Sequence, residues 1–172
     1  ANLSGFLGKI ATDVSLLMQT EIGEVFEGAA EGKGGSSTMP HKRNPVTCAA
    51  IISNASRTPH LAATMFAVML QEHERSAGKW HAEWDTLKEL QLLSAGAMEK
   101  CIDLLRYLEV KADQMLHNLE MTKGLIYAEN VSLALSKTIG KLPAHELIEK
   151  ACKQAIKSGF HLMEVCKQMK IE

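Results

Sequence analysis

Apolar side chains open the chain at Leu3, Phe6, Leu7, Ile10, Val14, Leu17, Met18, Ile22, Val25 and Phe26. Spacings of three and four, kept over about seven turns, predict one long helix with a broad buried stripe. Leu3, Leu7, Ile10, Val14 and Leu17 also follow the 3-4 rhythm of helices that pack along their length, so other long helices of a bundle are the expected partners. The rhythm stops at residues 28–40. There Gly28, Gly32, Gly34 and Gly35 precede Ser36, Ser37 and Thr38, and backbone freedom without an apolar face predicts a loop. Asn44 and Pro45 then supply an N-cap and a first-turn proline, and small residues over 46–56 suit a closely packed helix. Pro59 is expected to kink or restart that helix near Thr58.

Residues 61–70 are strongly apolar, 71–76 are polar, and Gly78 marks a break before another long amphipathic pattern. Leu87, Leu90, Leu93, Ala97, Ile102, Leu105 and Leu108 are expected to carry its buried face, ending near Glu109. Shorter helices follow over residues 112–119, 125–139, 143–157 and 160–169, with Gly140 and Gly159 as stops. The change from long to short elements near residue 110 places a domain boundary there, giving domains 1–110 and 111–172. No alternating run of β-branched or aromatic residues competes with the helical pattern, so the expected class is all-α.

Of 172 residues, 46% are hydrophobic and 23% charged, enough apolar surface to bury a core and too much for a disordered chain. Lys and Arg number 19 against 20 Asp and Glu, and a net charge of −1 lacks the footprint of a nucleic-acid binder. The longest stretch without a formally charged residue, 58–71, is shorter than the roughly 20 apolar residues of a membrane span and contains Pro59 and His60. It reads as a buried helix. Cys48, Cys101, Cys152 and Cys166 form no C-x-x-C pair, which favours reduced, buried thiols in a cytoplasmic protein over a Cys152–Cys166 disulfide or a zinc site. The first residue is Ala1 rather than Met, no secretory signal precedes the first helix, and a helical pattern already running at residue 3 suggests a chain cut from something larger.

The stretch Gly34-Gly35-Ser36-Ser37-Thr38-Met39-Pro40-His41-Lys42-Arg43-Asn44-Pro45 carries the chemistry. Glycines let backbone approach a ligand, two hydroxyls follow, and cations lead into a helix N-terminus whose free N–H groups and dipole favour a carboxylate or phosphate. The composition suits a solvated glycine loop before a capped helix equally well. The exact string goes further: it resembles the signature loop of the fumarase/aspartase superfamily, G-S-S-x-M-P-x-K-x-N-P, at every fixed position, namely Gly35, Ser36, Ser37, Met39, Pro40, Lys42, Asn44 and Pro45.

The resemblance implies a long-helix bundle followed by a small C-terminal helical domain, acid/base chemistry without metal or organic cofactor, and homotetramers whose active sites draw on three subunits. It makes Ser36 the base that takes a proton beside a substrate carboxylate. Ser37, Thr38, Met39, Lys42 and Asn44 surround the substrate, with Lys42 and Asn44 holding the carboxylate. Removing that proton puts a second negative charge on an ionised carboxyl group, and losing one donor aimed at such charge costs about 10²- to 10³-fold in rate. A serine base also needs N–H groups, Lys42 and the helix N-terminus to depress its pKa in a site closed to water. The glycines before it fit a lid that closes on substrate. Superfamily members are more than twice as long, so part of each site, including a histidine of the acid/base set, is expected outside these residues.

Gln71-Glu72-His73-Glu74-Arg75-Ser76 with Trp80-His81-Ala82-Glu83-Trp84 resembles the superfamily's cycloisomerase branch of aromatic catabolism. In that branch one carboxylate of a carboxymuconate adds across a double bond and the neighbouring carbon gains a proton. A tricarboxylate needs further cations, for which Arg43 and Arg75 are nearest, and His41, His73 and His81 are candidates to line the site. A histidine on a helix is more often a hydrogen-bonded structural group. Trp80 and Trp84, one turn apart, are expected to share a buried face, and most of the nine methionines to pack in the core. The adenylosuccinate lyases are similar through His73-Glu74-Arg75 and Gly124-Leu125-Ile126-Tyr127. Ser76 replaces their acidic residue, however, and a phosphate wants Arg or Lys rather than indoles. A non-catalytic helical oligomerisation module is the reading from a different class.

Overall fold

The computed structural model describes residues 1–28 and 43–171 and divides into two compact units, Ala1–Lys111 and Ala112–Glu172. In the first, helices α1 (Asn2–Leu17), α2 (Val46–Ala67) and α3 (Lys79–Arg106) pack on one another. Two short strands, β1 (Val25–Phe26) and β2 (Glu109–Val110), pair antiparallel with Val25 opposite Val110 and Phe26 opposite Glu109. The second unit holds α4 (Ala112–Glu120), a 3₁₀ turn (Leu125–Tyr127), α5 (Ala128–Ile139), α6 (Lys141–Ser158) and α7 (Leu162–Gln168). The class is all-α, as the periodicity predicts.

Small residues set how closely the helices of the first unit approach. A Cβ on Gly8 of α1 would stand 2.7 Å from Ala55 Cβ of α2. Ser4 of α1, fully buried, meets Ser94 of α3 through a hydroxyl pair at 3.1 Å. Leu7, Ala11 and Val14 pack inward from α1, Cys48 and Ile51 from α2, and Ala97, Cys101 and Leu104 from α3.

The first helix ends at Leu17, not Phe26. The Gln19 carbonyl accepts from the amides of Ile22 (2.9 Å) and Gly23 (2.8 Å), and Gly23, at φ 62°, turns the chain into β1. Ile22, Val25 and Phe26 fit helical spacing, but β2 offers Val25 and Phe26 strand partners from the far end of α3. Pro59 does not end or restart a helix, since α2 runs through it. Proline has no N–H for the carbonyl of Ala55, four residues back; Thr58 Oγ1, wholly buried, donates to that carbonyl at 3.0 Å.

Residues 58–71 are not a buried segment: Phe66, Met69 and Leu70 are 72%, 70% and 76% exposed. On α3, Leu87, Ile102 and Leu105 are exposed as well, and the buried positions are Thr86, Ala97, Cys101 and Leu104. Three helices cover one another along a single stripe each, and no described residue covers the remaining apolar faces. Met69, Met121 and Met163 are likewise exposed rather than core. All four cysteines are free thiols; Cys48 and Cys101 are buried, whereas Cys152 and Cys166 are half-buried against Ala151, Ala155, Leu162 and Val165. Gly140 (φ 89°) and Gly159 (φ 74°) stop α5 and α6 as predicted. Among the described residues, no helix is long and apolar enough to cross a membrane.

Candidate functional site

Ser36, Ser37, Thr38, Met39, His41 and Lys42 lie outside the described residues, so the site is built from its stems and surroundings. The first stem, residues 25–28, is fixed by the β1–β2 pairing and by the amide of Lys111, which donates to the Glu24 carbonyl at 2.8 Å. A Cβ on Gly28 would fall 2.5 Å from both the Cβ and the carbonyl oxygen of Tyr107, so only glycine lets this stem press against the end of α3.

The second stem begins at Arg43. Its guanidinium meets Glu109 fork to fork, Nη1 donating to Oε2 at 3.0 Å and Nη2 to Oε1 at 2.9 Å, and Nη2 also donates to the Glu27 carbonyl. Its flat face lies 4.8 Å from the Phe26 ring centre. The hydrogen bond to Glu109 raises the Arg43 pKa above its ordinary value, so the guanidinium stays charged. One side chain therefore ties residue 43 to the first stem and to β2.

Asn44 does not cap α2 through its side chain. The cap position is Pro45, and the Asn44 carbonyl accepts from Val46 N at 2.9 Å. Glu27 does the capping: Oε1 accepts from Cys48 N at 2.7 Å and Oε2 from Thr47 N at 3.1 Å, with the residue only 9% exposed. The expectation of free N–H groups awaiting a substrate anion is thereby corrected, because an internal carboxylate already occupies that terminus. Burial first, and then hydrogen bonding and charge from Glu27, push the Cys48 thiol well above its ordinary pKa. A helix N-terminus usually activates a cysteine; here burial and then the carboxylate outweigh that effect and leave Cys48 a protonated packing group.

The other predicted residues gather at the start of α3. Ser76, 1% exposed, donates its hydroxyl to Glu72, and its amide donates to Gln71 Oε1 at 3.2 Å. Lys79 Nζ reaches Glu72 Oε1 at 2.8 Å. The hydrogen bonds from Lys79 and then Ser76 hold the Glu72 carboxyl below the usual range. Arg75 stacks over Trp80 at 5.4 Å, and the Trp84 ring centre lies 5.1 Å from that of Trp80 and 4.8 Å from that of His81. The expected tryptophan pair forms, but Trp84 is 54% exposed, so the shared face is not buried. His73 is exposed in a left-handed conformation, φ 52°. Among the described residues no group of His, Cys, Asp or Glu is placed to hold a metal ion.

The structure brings Arg43 and Asn44 to the α2 N-terminus, and Arg75, His81 and the tryptophans to the α3 N-terminus. Glu27, Glu109 and Tyr107 were missed by sequence reasoning. Glu27 stands 20 residues before Thr47 and Glu109 stands 66 after Arg43, too far for any local capping or ion-pair pattern.

A family profile described as Lyase matches residues 1–59. The chain is 56% identical to a 3-carboxy-cis,cis-muconate cycloisomerase of Pseudomonas aeruginosa, over 95% of its own length and 36% of that protein's. It is 47% identical to a nitrosuccinate lyase of Streptomyces davaonensis, over 96% of this chain and 35% of that protein. The crystal structure of the 3-carboxy-cis,cis-muconate lactonizing enzyme from Pseudomonas putida superimposes with a TM-score of 0.83 at 52% identity, covering 95% of this chain and 36% of that one. The chain thus spans just over a third of the length of the curated relatives it matches.

Proposed function

Because the chain belongs to the fumarase/aspartase superfamily, we propose that it is the part of a 3-carboxy-cis,cis-muconate cycloisomerase that carries the serine signature loop. The observation that carries this reading is the identity of 56% over 95% of the chain, with every fixed position of the loop retained. Residues 1–110 are assigned to the central helical bundle and 111–172 to a small C-terminal domain. The enzyme is cytoplasmic and acts as a homotetramer, with sites completed by chain outside these residues and by neighbouring subunits.

In the reaction an oxygen of one substrate carboxylate bonds to a carbon of the double bond. The π electrons move onto the adjacent carbon beside a second carboxylate, and a proton quenches the resulting carbanion. Ser36 handles that proton, while Lys42 and Asn44 hold the carboxylate that takes up the charge, with Ser37, Thr38 and Met39 lining the substrate. Donors preorganised toward a developing charge supply most of the rate in such a step. Arg75, His41, His73 and His81 are assigned to the rim, where an additional carboxylate is met.

The test is ultraviolet loss of 3-carboxy-cis,cis-muconate with the full-length enzyme and its Ser36→Ala variant. Turnover by the wild type and a loss of at least about 10³-fold in the variant are expected. Turnover of adenylosuccinate or nitrosuccinate in its place would move the assignment to another branch. An inactive full-length protein with an intact tetramer would favour the helical assembly reading.

A further inference from the structure

The sequence offers Arg43 as a cation for substrate, yet three of the five N–H donors of its guanidinium, including the fork formed by Nη1 and Nη2, are already engaged within the fold. Nη1 and Nη2 meet both oxygens of Glu109 at 3.0 and 2.9 Å, Nη2 is shared with the Glu27 carbonyl, and the ring of Phe26 lies against its face. A substrate carboxylate seeking the Nη1/Nη2 fork would have to displace Glu109 from a bidentate pair of near-ideal length. The same contacts join three points of the chain: residue 43 after the loop, residue 27 before it, and β2 after α3. Glu27 in turn holds the α2 N-terminus through Thr47 and Cys48.

We propose that Arg43 and Glu109 are a positioning pair for the signature loop, fastening both of its ends and the α2 N-terminus to β2, and that Arg43 is not a substrate ligand. This rests on the loop being the reacting centre, as read above. These contacts fix residues 27 and 43 relative to one another, and fixed ends remove chain entropy that would otherwise oppose a single placement of the segment between them. They also set the register of Asn44, the residue after Arg43, relative to the helix it leads into. Misplacing a reacting group by about 1 Å can cost about 10²-fold in rate, so the pair acts on turnover more than on binding.

The experiment compares the full-length enzyme with Arg43→Met, Glu109→Gln and the double variant, using 3-carboxy-cis,cis-muconate. Each single change is expected to lower kcat about 10- to 100-fold with KM within about threefold, and the double variant to be no worse than either single. Arg43→Lys keeps the charge without the fork and should fall between; with Glu109→Gln it carries the test if Arg43→Met fails to fold. Wild-type kcat in Glu109→Gln, additive losses, or a KM raised tenfold with kcat retained in Arg43→Met would each overturn the proposal, the last by making Arg43 a substrate ligand. Amide hydrogen exchange decides the matter without turnover. At Thr47 and Cys48 it should quicken about tenfold, and equally, in both single variants, and unchanged exchange overturns the pair. A wild type inactive on this substrate but showing that exchange pattern would sink only the assigned reaction.

Discussion

Gly5 and Gly8 stand one turn apart in α1 and respond oppositely to the same added methyl group. At Gly8 a Cβ would lie 2.7 Å from Ala55 Cβ, whereas at Gly5 nothing lies within 4 Å. Carbon atoms pack best at about 3.5–4.0 Å, so Gly8→Ala is roughly 1 Å too tight, and both colliding atoms are fixed to helix backbones rather than to movable side-chain ends. Overpacking of this kind costs about 1–3 kcal/mol. Replacing glycine by alanine inside a helix returns up to about 1 kcal/mol. Gly5→Ala should therefore stabilise by about 0.5–1 kcal/mol, and Gly8→Ala should destabilise by about 1 kcal/mol, within a range of about 0–2. The difference between the two variants isolates the clash, because both carry the same propensity gain. Urea unfolding of the 172-residue chain, followed by far-UV circular dichroism, reads both as shifts of the midpoint. Adding Ala55→Gly to Gly8→Ala should restore the midpoint. A Gly8→Ala midpoint at or above that of Gly5→Ala would refute the close approach of α1 and α2.

Three further outcomes follow from single contacts. Thr58→Val leaves the Ala55 carbonyl without its hydroxyl donor and should cost about 1–3 kcal/mol in the same unfolding assay, and Pro59→Ala in that background should recover part of it by supplying the missing N–H; an unchanged Thr58→Val midpoint would refute the compensation. Gly124→Ala combines φ +81° with a Cβ 2.4 Å from the His161 ring and should cost about 1–3 kcal/mol, readable as a lower melting temperature; no change would show that the turn tolerates a side chain. The Glu72 carboxyl is held low by Lys79 and Ser76, so its stabilising effect is present above the ordinary carboxylate range and fades as pH falls through the lowered folded value. A carboxyl titration by NMR should place its midpoint below that range and Lys79→Met should raise it; an unmoved midpoint would remove Lys79 as the cause.

Glycine stops and helical periodicity were legible locally. Gly78, Gly140 and Gly159 end or begin helices where the pattern predicts, each at positive φ, because a turn of this kind is decided within a few residues. The serine loop was legible as a string for the same reason. What surrounds it was not. Neither Glu27 reaching the amides of Thr47 and Cys48, nor Glu109 gripping Arg43, leaves a trace in local spacing, and Asn44-Pro45 offered a plausible cap that the fold does not use.

The sequence by itself determined an all-α chain, the order of its helices and the string of the signature motif, since these depend on neighbours within a turn or on an unbroken run of residues. Only the tertiary structure decided that α1 stops at Leu17, that α2 passes through Pro59, and that the anion-favouring end of α2 is filled from within by Glu27. The physical reason is common to all three. A strand partner, a hydroxyl aimed at an orphaned carbonyl and a distant carboxylate each satisfy a backbone group whose local signal pointed elsewhere, and a buried polar group takes whichever partner the packed chain brings within about 3 Å.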